Sequence, residues 1–478
     1  MSHATIMLID LAILAVLVVG IRLFRTPQGA RYGNLIAAFA LVLAVAVTLQ
    51  RHGLAQPQIL LPAVVVGSAL GWWVAIRTDM IQIPAMVAFQ HGAGGVAVAL
   101  VSFVELLWTA GTPVSVVGKI SGMVGLALGT ATFAGSMLAA GKLSNRMRPT
   151  PKVLPRHNLV LLGLAVVILA LAGWIFGVDH RWATMALLGT IALFSLGLGW
   201  VFAMRIGGAD MPVLISFLNA TAGLAAAFCG IIIENRLLIA CGATVAASGS
   251  ILTHVMCKAM NRRLANVFVG IAARSGGGSG VAGPVSKSQP VVSAPVKTES
   301  PEVAALGALK TARTLVVIPG YGMALAHAQF AVVELMKQLE KMGKAVKFAI
   351  HPVAGRMPGH MNVLLAEADV PYDKLFEMDD INRELPETDL VLVVGACDVV
   401  NPAATNTEGT PISGMPILNA HLAKQVIVCN LDAKPGYSGV DNALYEDPKA
   451  IMLLGDAKKT LQDLNAAIAS RESVSHLF

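Results

Sequence analysis

Charged side chains are scarce in this chain: Asp, Glu, Lys and Arg make up 13% of its 478 residues, against roughly 25% in soluble domains. Hydrophobic residues make up 55%, and the mean hydropathy is +0.69. These values exclude a wholly soluble protein. The net charge of +7 is small for this length, and the basic residues lie largely between apolar segments. We therefore attribute it to membrane topology rather than to nucleic-acid binding.

Cysteine is scarce as well. The five cysteines, at positions 229, 241, 257, 397 and 429, show no C-x-x-C or His-rich spacing. Zinc sites and redox motifs require such spacing. We therefore expect reduced, structural thiols and no metal site.

Long apolar segments fill the first part of the chain. A membrane-spanning helix needs about 20 apolar residues, and nine segments before residue 260 qualify: 4–21, 33–50, 58–76, 84–108, 115–140, 158–177, 183–204, 212–233 and 236–257. The first has neither a basic region before it nor a small-residue cleavage site, so we expect a retained helix rather than a signal peptide. The sequence predicts a membrane domain over residues 1–260.

The basic residues predict the orientation of these helices. With the N-terminus outside, the outer loops receive only Arg51, Arg181 and Arg236. The inner loops then receive thirteen basic residues, namely Arg22, Arg25, Arg31, Arg77, Lys142, Arg146, Arg148, Lys152, Arg156, Arg205, Lys258, Arg262 and Arg263. This bias predicts a periplasmic N-terminus and a cytoplasmic C-terminal half.

Polar residues inside the apolar segments are costly unless they are paired or hydrated. His91 and Asn219 lie roughly 10 Å inside the cytoplasmic face, at about 1.5 Å of rise per residue. An imidazole titrates near neutral pH and an amide can orient it, which predicts a proton path; the alternative is a pair that only packs helices. Glu105 and Lys119 are expected to snorkel. Asp210 precedes the eighth segment, where a contact with the helix dipole is the alternative to a role in the path.

A change of composition separates the two halves. From residue 275 to about residue 300, Gly, Ser and Pro dominate, which is typical of a flexible tether. We place a linker at residues 261–305 and a soluble domain at residues 306–478.

Strand and helix patterns alternate in the soluble half. Apolar β-branched runs occupy 314–319, 345–350, 389–395, 425–429 and 450–454, with a weaker one near 374–378. This order predicts an open, doubly wound, mostly parallel sheet that binds ligands at the carboxyl ends of its strands. The first run ends in Pro319-Gly320-Tyr321-Gly322, before an alanine-rich stretch. The pattern G-x-G-x-x-x-A is a variant of the dinucleotide fingerprint, with a helix N-terminus that favours phosphate.

The loop after the second strand departs from that fingerprint. It lacks the Asp or Glu that takes a ribose hydroxyl, and it carries His351 and Arg356 instead. A nucleotide bound here either has extra negative charge or lies differently from the usual pose. A solvated arginine loop is the alternative to a phosphate contact.

These motifs carry a resemblance over nearly the whole chain. They are residues 209–219 (ADMPVLISFLN), 256–261 (MCKAMN), 320–324 (GYGMA), 355–368 (GRMPGHMNVLLAEA), 401–404 (NPAA), 415–418 (MPIL), 436–439 (GYSG) and 455–458 (GDAK). The chain resembles the beta subunit of the proton-translocating NAD(P)+ transhydrogenase.

The resemblance implies a multi-pass enzyme of the bacterial inner membrane, whose Rossmann-like domain binds NADP(H) in an inverted orientation. A partner alpha subunit would carry the NAD(H) domain, in a dimer of alpha–beta units. Hydride would pass directly between the cofactors, so no catalytic side chain is implied. Protons would re-enter the cell through the helix bundle.

The resemblance also implies roles for single residues. His91 and Asn219 match the proton path, and Asp210 matches the group that links this path to the soluble domain. Asp398 is a candidate for coupling protonation to cofactor release. The expected nucleotide-binding positions are Gly320, Tyr321, Gly322, Met323, Ala324, Arg356, Gly359, Asp398, Lys434, Gly436, Tyr437 and Asp456.

Two departures from the family affect the cofactor. A basic pair that holds the 2′-phosphate in the family is replaced by Asn430 and Leu431, followed by Asp432. Lys434 is a possible substitute. Cys397 replaces a family asparagine. Two alternatives therefore remain: a divergent paralogue with NAD(H) in this site, and a nucleotide-regulated transporter or channel without hydride transfer.

Overall fold

The computed structural model describes residues 3–23, 27–52, 57–110, 115–144, 146–147, 152–178, 180–207, 210–260, 264–269, 300–357, 359–407, 410, 412–436 and 438–475. The chain divides into two compact units. One consists of Met1–Gly207 with Val213–His254, and the other of Gly208–Pro212 with Val255–Phe478. We call them the membrane unit and the sheet unit.

Within the described ranges, nine helices are long and apolar enough to span a membrane. The nine predicted spanning segments are thus confirmed as helices. They are α1 (His3–Leu23), α2 (Pro27–His52), α3 (Pro57–Arg77), α4 (Ile83–Trp108), α5 (Val116–Leu143), α6 (His157–Trp174), α7 (Arg181–Met204), α8 (Met211–Ile232) and α9 (Arg236–Ala259).

Helix α5 lies at the centre of the membrane unit, because small residues on several of its faces let other helices approach. A β-carbon at Gly129 would lie 2.6 Å from the carbonyl oxygen of Gly95 on α4. A β-carbon at Gly199 on α7 would lie 2.0 Å from the carbonyl oxygen of Ala131. Towards α8, the hydroxyl of Thr132 donates to that of Thr221 at 3.0 Å. Close packing of this kind holds helices together where lipid gives no hydrophobic drive.

Among its described residues, the sheet unit contains six parallel strands in the order β3-β2-β1-β4-β5-β6, which confirms the predicted doubly wound sheet. The strands are β1 (Thr314–Pro319), β2 (Ala345–Ile350), β3 (Leu375–Glu377), β4 (Leu390–Val394), β5 (Gln425–Asn430) and β6 (Ala450–Leu454). The chain reverses direction across the sheet between β1 and β4, which pair from Leu315↔Leu390 to Pro319↔Val394. Ligands bind at such a switch point in open α/β sheets.

The remaining α-helices lie between or after the strands in the chain, except the first two, which precede β1. They are α10 (Leu264–Val269), α11 (Pro301–Thr311), α12 (Tyr321–Leu325), α13 (Gln329–Lys341), α14 (His360–Glu367), α15 (Met378–Ile381), α16 (Ala403–Asn406) and α17 (Ala457–Ser475). The predicted linker at 261–305 lies mostly outside the described residues. Its described parts are helical: α10, and the start of α11, which buries Ala305, Ala308 and Leu309.

Candidate functional site

The switch point is built from three glycines at the carboxyl ends of β1 and β4. A β-carbon at Gly320 would lie 2.2 Å from the carbonyl oxygen of Gly395, and one at Gly322 would lie 2.7 Å from the Gly395 Cα atom. The amides of Gly320 and Gly322 donate to the carbonyls of Val394 and Gly395, both at 2.8 Å. The glycines therefore allow one loop to lie against the other.

The helix that follows this turn is short. Helix α12 has only five residues, because His327 adopts a left-handed conformation with φ of 50° and the long helix starts afresh at Gln329 as α13. The side chains of Met323 and Ala324 are fully buried. These two predicted site residues can therefore offer a ligand only their backbone, and the turn lacks the long helix dipole expected from the fingerprint.

An aromatic and cationic stack stands beside the turn. The Arg356 guanidinium carbon lies 4.4 Å from the centre of the Tyr321 ring, and the Arg356 side chain is buried. The rings of Tyr321 and His360 are 6.3 Å apart. Arginine binds phosphate in a bidentate way and is often held over an aromatic ring where it does so.

His360 supports this stack from inside the domain. Its Nδ1 atom accepts a hydrogen bond from the Arg356 amide at 3.2 Å, and its side chain has no exposed surface. Burial, together with the charge of Arg356, lowers the pKa of His360 to about 4. A neutral imidazole at this position adds no second positive charge beneath the guanidinium, so Arg356 is the cation of the stack.

His351 shapes the same loop but does not face a ligand. Its Nδ1 atom accepts from the Val353 amide at 3.2 Å, so the other ring nitrogen carries the proton and donates to the Pro416 carbonyl at 2.8 Å. Burial lowers the pKa of His351 to about 4. The side chain is a neutral brace between two loops, and Arg356 is the residue of this pair that lies at the site.

Asp398 joins the loop after β4 to the loop after β5. Its carboxylate accepts from the Ser438 hydroxyl at 2.6 Å and from the Ser438 amide at 3.1 Å. A β-carbon at Gly436 would lie 2.9 Å from both carboxylate oxygens, so glycine lets the second loop pass this close. Tyr437, between these residues, lies outside the described part of the chain.

Two asparagines complete the connection between these loops. The Asn401 side chain donates to the Asp441 carbonyl at 3.0 Å, and the Asn442 side chain donates to the Cys397 carbonyl at 3.0 Å. Burial raises the pKa of the Cys397 thiol, so this thiol is protonated at neutral pH.

The segment that replaces the family's basic pair is arranged differently along its length. Asn430 is buried and donates to the Ala396 carbonyl at 2.9 Å and to the Tyr445 hydroxyl at 2.6 Å. Leu431 is 75% exposed. Lys434 lies 3.3 Å from the carboxylate of Asp432. The exposed part of the segment thus presents an apolar side chain and a solvent-exposed lysine–aspartate pair.

The remaining predicted positions have local structural roles. Gly359 adopts φ of 72° at the start of α14, a conformation that costs other residues about 1–2 kcal/mol. Asp456 caps α17, where its carboxylate accepts from the Lys459 amide at 3.0 Å.

In the membrane unit, the stretches that carry His91 and Asn219 meet consecutive residues of α5. A β-carbon at Gly92 would lie 3.1 Å from the Ser136 Cβ atom, and one at Gly135 would lie 3.1 Å from the Leu218 side chain. The Nδ1 atom of His91 and the hydroxyl of Ser136 are buried without a hydrogen-bond partner among the described residues. His91 and Asn219 therefore lie at one level of α5.

Asp210 is half-buried and lies directly before α8. The sequence did not single out Ser136, because one serine in a Gly- and Ala-rich helix forms no pattern. It also passed over Gly395, His360 and Ser438 as site residues. For Gly395 a signal existed, since a glycine directly after a buried parallel strand marks a tight turn at the ligand edge.

The geometry of the sheet unit fits a phosphate-bearing nucleotide: a glycine turn at a switch point, a stacked arginine beside it and a cross-linked pair of loops opposite. The family model described as "NAD(P) transhydrogenase beta subunit" matches residues 6–467. The NAD(P) transhydrogenase subunit beta of Rhodospirillum rubrum is 37% identical over 474 residues, which are 98% of this chain and 100% of the relative. The protein of the same name from a defined strain of that species matches to the same extent. This chain belongs to the NAD(P) transhydrogenase beta subunit family.

Proposed function

We propose that the chain is the beta subunit of a transhydrogenase that moves hydride between NAD(H) on a partner subunit and NADP(H) on its own sheet unit, coupled to proton translocation. Because the chain carries one nucleotide fingerprint and hydride transfer needs two nucleotides, activity requires an alpha subunit with an NAD-binding domain. The enzyme works as a dimer of alpha–beta units. It lies in the bacterial inner membrane with its N-terminus periplasmic and its C-terminal domain cytoplasmic.

Each of three domains has one task in this function. Residues 1–260 conduct protons, residues 261–305 link the domains, and residues 306–478 bind the nucleotide. The bound nicotinamides supply the hydride donor and acceptor, so the protein's task at the site is to bind, orient and release. Arg356 on Tyr321 binds phosphate, the backbone from Gly320 to Ala324 lies along the dinucleotide, and Gly359 and Asp456 shape the flanking turns.

Asp398, Gly436 and Tyr437 form the wall of the site that the loops after β4 and β5 build. The Asp398 carboxylate accepts both donors of Ser438 and so joins the loop after β4 to the loop after β5. Its protonation would release one wall of the site, which links proton binding to the affinity for the cofactor. This is the role that we propose for Asp398.

We propose that His91 and Asn219 form the proton path, with Asp210 linking it to the nucleotide domain. The Nδ1 atom of His91 and the hydroxyl of Ser136 are buried without a hydrogen-bond partner among the described residues. This supports a hydrated path at this level, because polar atoms in a membrane interior require partners or water.

The observation that carries the proposal is the stack of Arg356 on Tyr321 at the switch point of a family-matched sheet. The test uses the full chain with its alpha subunit in sealed vesicles, where hydride transfer and proton uptake are measured together. We expect transfer only with the alpha subunit, and loss of proton uptake in His91→Ala with unchanged nucleotide binding. Nucleotide binding without hydride transfer would instead establish the nucleotide-regulated transporter or channel.

A second candidate, NAD(H) in this site, is favoured by the segment 430–434. A 2′-phosphate requires cations, but Asn430 is turned inward, Leu431 is exposed, and Lys434 is paired with Asp432. The site therefore fits a dinucleotide but not a strongly preferred 2′-phosphate. Each lost charge-assisted contact is worth about 1.5–3 kcal/mol, and a 2′-phosphate near Asp432 meets repulsion.

Titration of the full chain with NADP+, NADPH, NAD+ and NADH tests this second candidate. We expect binding with a preference for the phosphorylated forms of no more than about tenfold, which equals about 1.4 kcal/mol. Replacing Asn430 by Lys, Leu431 by Arg and Asp432 by Ser should raise that preference by at least about tenfold per restored contact. A wild-type chain that already selects NADP(H) strongly would show that Lys434 or another base replaces the missing pair.

A further inference from the structure

The C-terminal end of α5 carries a buried lysine that the proposed function does not use. We expected Lys142 in an inner loop, but α5 extends to Leu143 and the Lys142 side chain is 4% exposed. Its ammonium group donates to the carbonyls of Ala203, Met204 and Ile206 at 3.0, 2.9 and 2.6 Å. These are the last residues of α7 and the start of its connection to α8.

This arrangement satisfies the ammonium group without a carboxylate. The last carbonyls of a helix lack intrahelical partners and carry the negative end of its dipole. Lysine has three N–H donors, and each has a carbonyl to itself here. The Lys152 amide adds a further bond to the Met204 carbonyl at 3.0 Å.

The bonds close a tight interface. Towards the N-terminus of α5, on the same face, a β-carbon at Gly199 would lie 2.0 Å from the Ala131 carbonyl oxygen. A β-carbon at Gly135 would lie 3.7 Å from the Ala203 Cβ atom. Lys142 continues this face and adds a charged contact at its end. Beyond Ile206, the chain reaches Asp210 within four residues and then enters α8.

Burying a lysine costs free energy that a similarly shaped apolar side chain would not. Packing alone therefore does not require a charge here, whereas directional bonds to three carbonyls fix the course of the backbone. We propose that Lys142 is a positioning residue for coupling: its ammonium group holds the backbone at Ala203, Met204 and Ile206, which precede Asp210 in the chain. Proton-coupled transfer needs this contact. The proposal rests on the proposed function of Asp210.

The first experiment measures directly whether Lys142 fixes the backbone at Ile206, and its readout does not depend on enzyme activity. Ile206 is 2% exposed and contributes only its carbonyl to the bond, so Ile206→Cys preserves the contact. In the full chain with its alpha subunit and with the five native cysteines replaced by alanine, we measure the rate of alkylation of Cys at position 206 by a maleimide. Lys142→Met should raise the rate at least about tenfold, because local opening exposes the segment.

Lys142→Arg, which keeps charge and donors, should stay within about threefold of the parent. Lys119→Met is the matched control, since Lys119 lies at the other end of α5, and it should leave the rate unchanged. Lys142→Gln replaces the Met variant if the latter does not accumulate in membranes. Equal alkylation rates for the parent and for the Lys142→Met and Lys142→Gln variants would overturn the proposal.

The second experiment measures coupling as the ratio of hydride-transfer rates with and without a proton gradient across the vesicle membrane. Lys142→Met should bring the ratio close to 1 while the nucleotide dissociation constants stay unchanged, and Lys142→Arg should restore most of the wild-type ratio. If Lys142→Met is alkylated faster but keeps the wild-type ratio of hydride-transfer rates, Lys142 fixes the backbone but coupling does not need it. This result would also overturn the proposal. Absence of gradient stimulation in the wild type would refute the proposed function. The alkylation rates would still show whether Lys142 fixes the backbone at position 206.

Discussion

The membrane unit and the sheet unit both depend on close backbone contacts at glycine, but in different ways. In the membrane unit, a β-carbon at Gly95 would lie 2.7 Å from the carbonyl oxygen of Gly129, where two helices cross. In the sheet unit, a β-carbon at Gly320 would lie 2.2 Å from the carbonyl oxygen of Gly395, where two loops meet. Gly395 itself has φ of 64°, so it meets a conformational as well as a steric requirement.

The difference separates two functions of glycine. A helical glycine has ordinary dihedral angles, so only the volume of an added methyl group decides what a substitution does. A loop glycine with positive φ loses stability on substitution even in open space. Substitutions at matched glycines therefore measure the steric and the conformational contribution separately.

The largest effect is expected for Gly320→Ala. The added methyl group would overlap the Gly395 carbonyl and Ala396, which should cost more than about 4 kcal/mol and abolish nucleotide binding. Gly343→Ala is the control, because Gly343 has φ of 77° but open space around it, so it should cost only about 1–2 kcal/mol. Hydrogen exchange of the β1 and β4 amides in the full chain measures both. Similar losses of protection would show that sterics do not dominate at the switch point.

In the membrane unit, Gly199→Ala should destabilise the bundle by at least about 2 kcal/mol, because overpacking forces α5 and α7 apart. A methyl group there would lie 2.0 Å from the Ala131 carbonyl oxygen. Gly189→Ala on the same helix has nothing within 4 Å and should be neutral or slightly stabilising. The temperature at which each detergent-solubilised variant aggregates separates the two. A bundle that tolerates both equally would show that α7 can move aside.

Asp398→Asn probes a polar contact of the sheet unit without replacing a glycine. The amide keeps one acceptor for the Ser438 hydroxyl but cannot accept the Ser438 amide, and a hydrogen bond to a charged group is worth about 1.5–3 kcal/mol. We expect weaker nucleotide binding by about tenfold, since 1.4 kcal/mol corresponds to that factor, with unchanged protection of the strands. Asp441→Asn, in the loop that carries Ser438, is the control, and titration with nucleotide measures both affinities. Equal affinities for both variants would remove Asp398 from the wall of the site.

The sequence predicted the nine helices and six strands because length and apolar periodicity are local properties. It also predicted that Arg356 lies at the ligand edge, because the edge follows from strand order. The details that depend on side-chain geometry could not be predicted from the sequence. The early end of α12 requires the left-handed His327, the neutral support under Arg356 requires His360, and Lys434 is engaged because its rotamer reaches Asp432.

The smallest effect is expected at the opposite edge of the sheet, for Asp389→Asn. The carboxylate of Asp389 accepts from Lys424 at 2.8 Å and from the amides of Arg313 and Thr314. The hydrogen bond from Lys424, followed by those from the two amides, holds the pKa of Asp389 well below its usual value. Because the folded-state pKa is depressed, the stabilisation is present above the unfolded pKa of about 3.9 and is lost as the pH falls towards the folded value.

The site is largely open to solvent, which screens these interactions, so Asp389→Asn should cost only about 1 kcal/mol at pH 7. The difference between wild type and variant should shrink steadily below about pH 4. Hydrogen exchange of the β1 amides at several pH values, corrected for intrinsic rates, measures it, with the exposed Asp373→Asn as a control for the change of charge. A difference that does not change with pH would mean that the amide bonds the strand ends as well as the carboxylate does, and that the charge of Asp389 contributes nothing to this edge.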